Sequence, residues 1–356
     1  MARAPGSAGS ATFAAPPNIA LVKFWGVRDP ELVLPYNSSV SVTLGQFRST
    51  TRVRFDPRLS EDQVTLNDAP ATGTPRSAVV QMLDRVRARA RLRDRADVVS
   101  RNNFPTATGL ASSASGFAAL AGAASAAAGL SLAPRELSRL ARLGSGSASR
   151  SIFGGFVLWR AGTRADGRDS YARPLYGEHH WPELVDVVAL VEGAPVKEVR
   201  SAEAMQSTVR TSPDYPGRLE ELPARIVRLV RAIGARDADR LFPLMMEECD
   251  SFRNVCETTR PSLDYLTPAS RAVLAEVRAL NRTAGRPIAA YTHDAGAHVH
   301  VFTLARHLAT VRRSLASVPG VRETITVRPG PGARRLDAGA RRRPRRPVPR
   351  RRSTDR

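Results

Sequence analysis

Cysteine and lysine are nearly missing from this 356-residue chain, which has two of each: Cys249 and Cys256, Lys23 and Lys197. Two cysteines seven residues apart cannot form a disulfide framework, and without CxxC pairs they do not make a zinc site. They read as reduced, buried filler in a helix, as expected of a cytoplasmic protein. No apolar run reaches the ~18 to 20 residues of a membrane span; the longest small-residue stretch, 110–130, is mostly Ala, Ser and Gly. Met1 to Pro17 lacks the apolar core of a signal peptide, and residues 1–15 read as a short disordered leader. Neither secretion nor membrane insertion is expected.

Arginine is what the chain has in excess. Of 54 Lys+Arg against 33 Asp+Glu, all but the two lysines are Arg, leaving 52, with a formal net charge of +21 and a pI near 11.4. That balance first suggests nucleic acid. Eleven arginines against two aspartates fall in residues 334–356, however, so +9 sits on a Pro/Arg tail and +12 remains on the first 333 residues. Residues 332–356 are expected to be disordered. The body offers no RNP-like aromatics, zinc finger or basic helix, so nucleic-acid binding would be nonspecific electrostatics of the tail. With 42% hydrophobic and 24% charged residues the body can bury a sizeable core. Its length fits two domains or one large α/β unit.

Val, Thr and Phe concentrate at 39–44, 50–56 and 62–66, predicting strands, with a turn at Asn67-Asp68 before a helix over about 75–92. Residues 96–104 read as extended. The alanine-dominated stretch to Ala128 predicts a helix, since Ala is the best helix former. Helix 134–143 and strands 156–160 and 185–192 follow. Past 201 come three helices, about 218–235, 238–254 and 267–283, and strands at 287–292, 298–304 and 321–327. No βα period repeats, which favours α+β over a parallel dinucleotide-binding sheet.

Four segments carry chemistry. Asn102 to Ala114 is a small-residue loop feeding a helix, where free N–H groups suit a phosphate and Ser112 and Ser113 offer hydroxyls to phosphate or Mg²⁺; the bland alternative is an N-cap serine. It lacks GxxxxGK[ST], so it is not a Walker A loop. Gly144 to Arg150 combines hydroxyls with a guanidinium, a set suited to carboxylate or phosphate, although GSGS is also linker composition. Lys23 stands in the apolar strand NIALVKFWG beside Trp25, in a chain that otherwise uses Arg; a compact ammonium is needed there, or its retention is chance. Asp294 follows Tyr291-Thr292-His293 and precedes Ala295-Gly296, either as a general base or as the cap of the next element.

In this order and spacing, NIALVKFWG, LPYNSSVSVTL, NNFPTATGLASSASGFAAL, GSGSASRSIFGGF, MQSTVRTS and AYTHDAG resemble the mevalonate diphosphate decarboxylases of the GHMP kinase superfamily, over residues 18 to 296. The resemblance implies a two-domain α+β fold: a ribosomal-protein-S5-like, ATP-binding domain over 16–192 and a ferredoxin-like domain over 193–331, with the active site in the cleft between them. It implies phosphorylation of the 3-hydroxyl of mevalonate 5-diphosphate by ATP, loss of that phosphate and of CO₂, and release of isopentenyl diphosphate, with Mg²⁺ as cofactor and a homodimer as assembly. Asp294 then matches the catalytic aspartate that accepts or orients the hydroxyl proton. Lys23 matches the lysine that balances charge near the transferred phosphoryl group. Asn103, Pro105, Thr106, Thr108, Gly109, Leu110 and Ala111 would cradle the ATP phosphates, with Ser112 or Ser113 at Mg²⁺. Ser145, Gly146, Ser147, Ala148 and Ser149 would hold the substrate while Arg150 grips its carboxylate. Phe24, Trp25, Gly26 and Val27 flank the lysine, and Arg76 and Thr211 match further substrate contacts.

Three departures qualify that match. Phe24 and Val27 stand where the family has Tyr and Lys, and a lost buried charged contact is worth roughly 1.5 to 3 kcal/mol. A decarboxylase for mevalonate 5-phosphate, or a 3-hydroxyl kinase that stops before decarboxylation, therefore remains open, as does a non-catalytic binder using the basic tail. His293 replaces the family's Phe, either shifting the Asp294 pKa or packing as a polar substitute. His298 and His300 read as surface histidines at period two on a strand; with His293 they invite a metal, but no carboxylate lies at ligand spacing.

Overall fold

Each stretch of matched propensity and burial folds into one element, and two mixed layers result. The computed structural model describes residues 9–104, 112–193 and 201–336. The first half runs β1 (Ser10–Ala15), β2 (Asn18–Val22), β3 (Val27–Asp29), β4 (Leu34–Pro35), β5 (Ser39–Thr43), β6 (Ser49–Asp56), β7 (Gln63–Leu66), β8 (Ala69–Pro70), α1 (Gly73–Ala90) and β9 (Arg95–Asn102). After these come α2 (Ser112–Ala127), α3 (Pro134–Arg142), α4 (Ala148–Ser151), β10 (Phe156–Trp159) and β11 (Ala172–Tyr176). The second half is β12 (Leu184–Val191), α5 (Ser201–Thr211), α6 (Tyr215–Ala235), α7 (Ala238–Glu257), α8 (Pro268–Ala284), β13 (Ala289–Thr292), β14 (Val299–Leu304), α9 (Leu308–Ala316), β15 (Val321–Val327) and β16 (Arg334–Arg335).

In the first half, a six-stranded sheet of order β16-β1-β6-β9-β7-β8 and a four-stranded sheet of order β11-β10-β5-β2 enclose the helices. The alanines of α2 fill this space because small side chains let the helix lie close to the sheet: Ala118, Ala119, Ala121, Ala123 and Ala124 are fully buried with Val53, Phe55 and Val98. In the second half, β13-β14-β12-β15 form an antiparallel sheet. Its strands alternate in the period-two sense. Val187, Ala189, Tyr291 and Val301 join a core with Val273, Leu274 and Val311 of α8 and α9. Leu184, Val188, Ala290 and Phe302 join the largest core instead, with Ile19, Leu21 and Val42 from the first half and Leu229 and Phe242 from α6 and α7. One apolar core thus couples the two halves, and the α+β architecture with ferredoxin-like second domain is the fold observed.

Helix ends follow their caps. Asp237 accepts from the Arg240 N–H at 3.0 Å, and Thr267 from the Ser270 N–H at 3.2 Å, which sets the starts of α7 and α8. Cys249 and Cys256 are free and buried, two turns apart on α7.

Several expectations are corrected. Residues 10–15 are not a disordered leader: Ala11, Ala14 and Ala15 are buried and β1 pairs with β6 over its whole length. The tail does not begin at 332, because Arg334 and Arg335 pair with Ala14 and Phe13. The domain division does not fall at 192: β12, buried on both faces, pairs with β14 and β15, so it belongs to the second sheet. Helices α5 and α9 escaped prediction because each buries few residues, Ala204, Met205 and Thr208 in one and Val311 and Leu315 in the other, too few to mark an apolar stripe. His298 and His300 are buried, not on the surface: Val191 N–H donates to His298 Nδ1 at 3.2 Å, and His300 Nδ1 lies 2.6 Å from Asp186 Oδ2.

Candidate active site

The site grows from the end of β2. Pairing with β5 shifts register between Ala20 and Val22, and at this irregularity the Ala20 carbonyl accepts a hydrogen bond from Lys23 Nζ at 2.8 Å. The Lys23 side chain is 2% exposed, and its ammonium reaches Asp294 Oδ1 at 2.8 Å. Asp294 sits two residues past β13 with its side chain 28% exposed, the more open member of the pair. Burial alone would raise its carboxyl, but the charge and hydrogen bond of Lys23 outweigh burial and hold it below the usual aspartate value. Asp294 is therefore ionised at neutral pH.

The second half of the molecule fixes the main chain of this lysine segment. The Lys23 N–H donates to Glu248 Oε1 at 2.9 Å, and Glu248, fully buried on α7, is neutralised by Arg218 and Arg225 of α6. Trp25 Nε1 donates to Thr208 Oγ1 of α5 at 3.0 Å, and the Trp25 carbonyl accepts from the Tyr215 hydroxyl at 2.8 Å. Gly26 follows with φ of +96°, and a Cβ there would collide with that hydroxyl, so only glycine permits the turn.

Arg150 comes from α4, a single helical turn. It is 2% exposed, donating from Nε to Asn18 Oδ1 at 3.0 Å and from Nη1 to Ser39 Oγ at 2.7 Å. Burial lowers its guanidinium to about 10, with Asp294 pulling the other way, so it remains a cation.

Lys23, Asp294 and Arg150 line one cavity of about 610 Å³. Its polar lining also holds Ser112, Ser113, Ser145 and Ser147; its apolar lining includes Phe24, Trp25, Val27, Met205 and Phe252. Ser112 and Ser113 open α2, and the N-terminal end of a helix favours anions. Ser113 Oγ lies 3.4 Å from Ser145 Oγ, so the start of α2 and the loop before α4 converge. Gly146 lines the cavity too, flanked by Phe24 and Trp159.

Other candidates lie elsewhere. Ala148 and Ser149 are buried away from the lining, the Ser149 hydroxyl turned back on the Gly146 carbonyl at 2.7 Å. Arg76 pairs with Glu61 at 2.7 Å, Thr211 bonds Ser207 and Arg260, and Asn103 bonds Arg48 and Gln46; none lines the cavity, and neither does Gly26. Pro105, Thr106, Thr108, Gly109, Leu110 and Ala111 lie outside the described residues. Asn18, Ser39 and Glu248 were missed as supporting residues. The readable signals were an amide opening an apolar strand and an acid on the buried stripe that carries Met245, Cys249 and Phe252.

His293 is 1% exposed, with Nδ1 2.8 Å from the Asp294 carbonyl, so that nitrogen carries the proton. Burial, then the Lys23 charge, lowers it to about 4. It is a neutral packed ring against Phe252, 5.7 Å between centroids. Among the described residues no group of three or more His, Cys, Asp or Glu is placed to hold a metal ion.

A cleft between an S5-like and a ferredoxin-like domain, with a paired Lys and Asp and an anion-accepting helix start, defines an enzyme of GHMP kinase-like fold. The Diphosphomevalonate decarboxylase-like N-terminal domain matches residues 15–172, and the Mevalonate 5-diphosphate decarboxylase C-terminal domain matches residues 187–331. The diphosphomevalonate decarboxylase of Ganoderma lucidum is 40% identical over 317 residues, 84% of this chain and 79% of that protein. The mevalonate diphosphate decarboxylase of Staphylococcus aureus superposes with a TM-score of 0.87 at 34% identity, covering 93% of this chain and 99% of that one. MDDEF in complex with MVAPP, AMPPCP and magnesium superposes with a TM-score of 0.86 at 36% identity over the same shares. The chain belongs to the diphosphomevalonate decarboxylase family.

Proposed function

We propose that the cavity binds ATP and mevalonate 5-diphosphate together and converts them to isopentenyl diphosphate, CO₂, ADP and phosphate. The observation that carries this reading is the 2.8 Å Lys23–Asp294 pair sharing one cavity with Arg150. Asp294, ionised and partly open, accepts the hydrogen bond of the substrate 3-hydroxyl and orients its oxygen toward the γ-phosphoryl group. Held below its usual pKa, it is a weak base while Lys23 faces it; as Lys23 shares its charge with the transferring phosphoryl oxygens, Asp294 gains proton affinity. Phosphoryl transfer is mostly positioning and electrostatics, which these fixed cations supply. Arg150 grips the substrate carboxylate, supported by Ser145 and Ser147, until CO₂ leaves. The apolar wall of Trp25, Met205 and Phe252 excludes water from the decarboxylating carbon.

The donor set fits Mg²⁺, because Ser112 and Ser113 offer hard oxygen ligands at a helix start that already favours phosphate. Bound there, Mg²⁺ neutralises charge on the nucleotide phosphates. No helix among the described residues is long and apolar enough to cross a membrane. A homodimer and a cytoplasmic location belong to the same reading; light scattering of the purified protein tests the first and fractionation the second. The linker between the two domains falls, in this reading, between β11 and β12.

Mevalonate 5-phosphate is the competing substrate, favoured by one observation: Val27 and Phe24 line the cavity, and among the described lining residues only Lys23 and Arg150 are cationic. ATP-dependent CO₂ release from each ester, with ADP measured in parallel, separates the readings. ADP formed without CO₂ would mark a kinase.

A further inference from the structure

Beyond β15 the chain leaves the second sheet and returns to the first half of the molecule. The Arg328 carbonyl accepts from Gly45 N–H at 2.9 Å, its N–H donates to Gln46 Oε1 at 2.9 Å, and Pro329 bridges to Leu44. The Gly330 carbonyl accepts from Thr43 Oγ1 at 2.6 Å and from Gly155 N–H at 2.9 Å. Ala333 N–H is shared by the carbonyls of Ser151 and Ile152, 3.2 Å from each, and Leu336 N–H donates to Thr12 at 2.9 Å. The slot is closed by glycine against glycine. A Cβ on Gly45 would lie 2.9 Å from Gly330 Cα, one on Gly154 2.7 Å from Gly332 N, and one on Gly332 2.5 Å from the Ile152 carbonyl. Gly45, Gly154, Gly330 and Gly332 all have ordinary φ, so close approach of two backbones is what requires them.

We infer that residues 328–336 form a strap that fixes α4, and through it Arg150, for the reaction. α4 is four residues long, too short to hold itself by helical cooperativity. Besides Ser39 of β5, which accepts from Arg150 Nη1, and Ser138 of α3, which donates to the Ser149 carbonyl, its C-terminal end is held from β2 and from the strap. From β2, Asn18 Nδ2 donates to Ser151 Oγ at 2.8 Å while Asn18 Oδ1 accepts from Arg150 Nε. From the strap, Ala333 takes the carbonyls of Ser151 and Ile152. The strap arrives from the second domain's sheet, so it ties the position of Arg150 in one domain to β15 in the other. It is a positioning element that acts through α4.

The test is full-length Gly330→Val, with Ala333→Pro as a second variant that removes the N–H shared by Ser151 and Ile152 and sets a ring carbon in its place. Hydrogen exchange of the amides of residues 148–153 is expected to quicken about tenfold, while that of α8 is unchanged. KM for the carboxylated substrate is expected to rise about tenfold, with KM for ATP moving less than twofold. Val311→Ala, at a buried position of α9 in the core of the second domain, supplies a destabilised comparison that should alter neither quantity. The KM arm rests on the reading of Arg150 as the partner of the carboxylate; the exchange arm does not. Faster exchange with unchanged KM overturns the Arg150 role and keeps the strap. Unchanged exchange at 148–153 in either folded variant, or the same local change in Val311→Ala, overturns the strap.

Discussion

Lys23 and Asp294, 271 positions apart in the chain, meet with Nζ 2.8 Å from Oδ1 on the wall of the shared cavity. Neither group is interchangeable. Asp294→Asn keeps the shape and removes the proton acceptor, and kcat is expected to fall by about 10² to 10⁴. Lys23→Met leaves the carboxylate without its cation, so burial dominates and the Asp294 pKa moves up. A pH-rate profile of the residual Lys23→Met activity should then show an acid limb displaced to higher pH than in the wild type.

Asn18 serves two partners on α4, accepting from Arg150 Nε and donating to Ser151 Oγ. Asn18→Leu strands a buried guanidinium N–H, which costs about 1 to 3 kcal/mol of stability. Chemical denaturation should show that loss, and the substrate KM should rise with little change in KM for ATP.

His293 separates two explanations by pH. Its folded pKa of about 4 lies below the ordinary value of 6.5, so as pH falls from 6.5 toward 4 the unfolded chain takes up a proton that the folded chain refuses. Stability drops across that window by up to about 3 kcal/mol. His293→Phe should flatten the dependence of Tm on pH between 6.5 and 4, leaving the part due to His298, whose pKa is also about 4. Its kcat–pH profile should superimpose on that of the wild type, because the ring is neutral wherever the enzyme turns over.

Val27 lines the cavity next to the lysine segment. Val27→Lys places an ammonium among the phosphate-binding groups, and a charged hydrogen bond of roughly 1.5 to 3 kcal/mol corresponds to a tenfold or greater fall in KM. The diphosphate ester should gain more than the monophosphate, read from KM for both in the variant and the wild type.

Much of this was legible from residue order. The helices over 238–254 and 267–283 carry clear apolar periodicity and appear within a few residues of their expected bounds. Lys23 and Asp294 stood out because each is a charge at the end of an apolar strand segment. What stayed hidden depends on tertiary contact. Ser10–Ala15 reads as leader because three alanines and a serine dilute Thr12 and Phe13, and only pairing with β6 gives the segment a partner. Arg334 and Arg335 read as the start of a charged tail, yet their backbones complete the edge beside β1. Arg76 matched a further substrate contact of the family but spends its guanidinium on Glu61 and the Asp62 carbonyl. Glu248 stands out only as an acid on a buried stripe; what it supports stayed hidden because its partner is the backbone N–H of Lys23, 225 positions away.

The most direct measurement is ATP-dependent CO₂ release by the purified protein from mevalonate 5-diphosphate and, separately, from mevalonate 5-phosphate, with ADP quantified in the same reactions and Asp294→Asn alongside. Equal yields of CO₂ and ADP from the diphosphate, a higher kcat/KM than with the monophosphate, and loss of both products in Asp294→Asn are the results expected. ADP without CO₂, a preference for the monophosphate, or undiminished turnover in Asp294→Asn would contradict the assignment of this cavity.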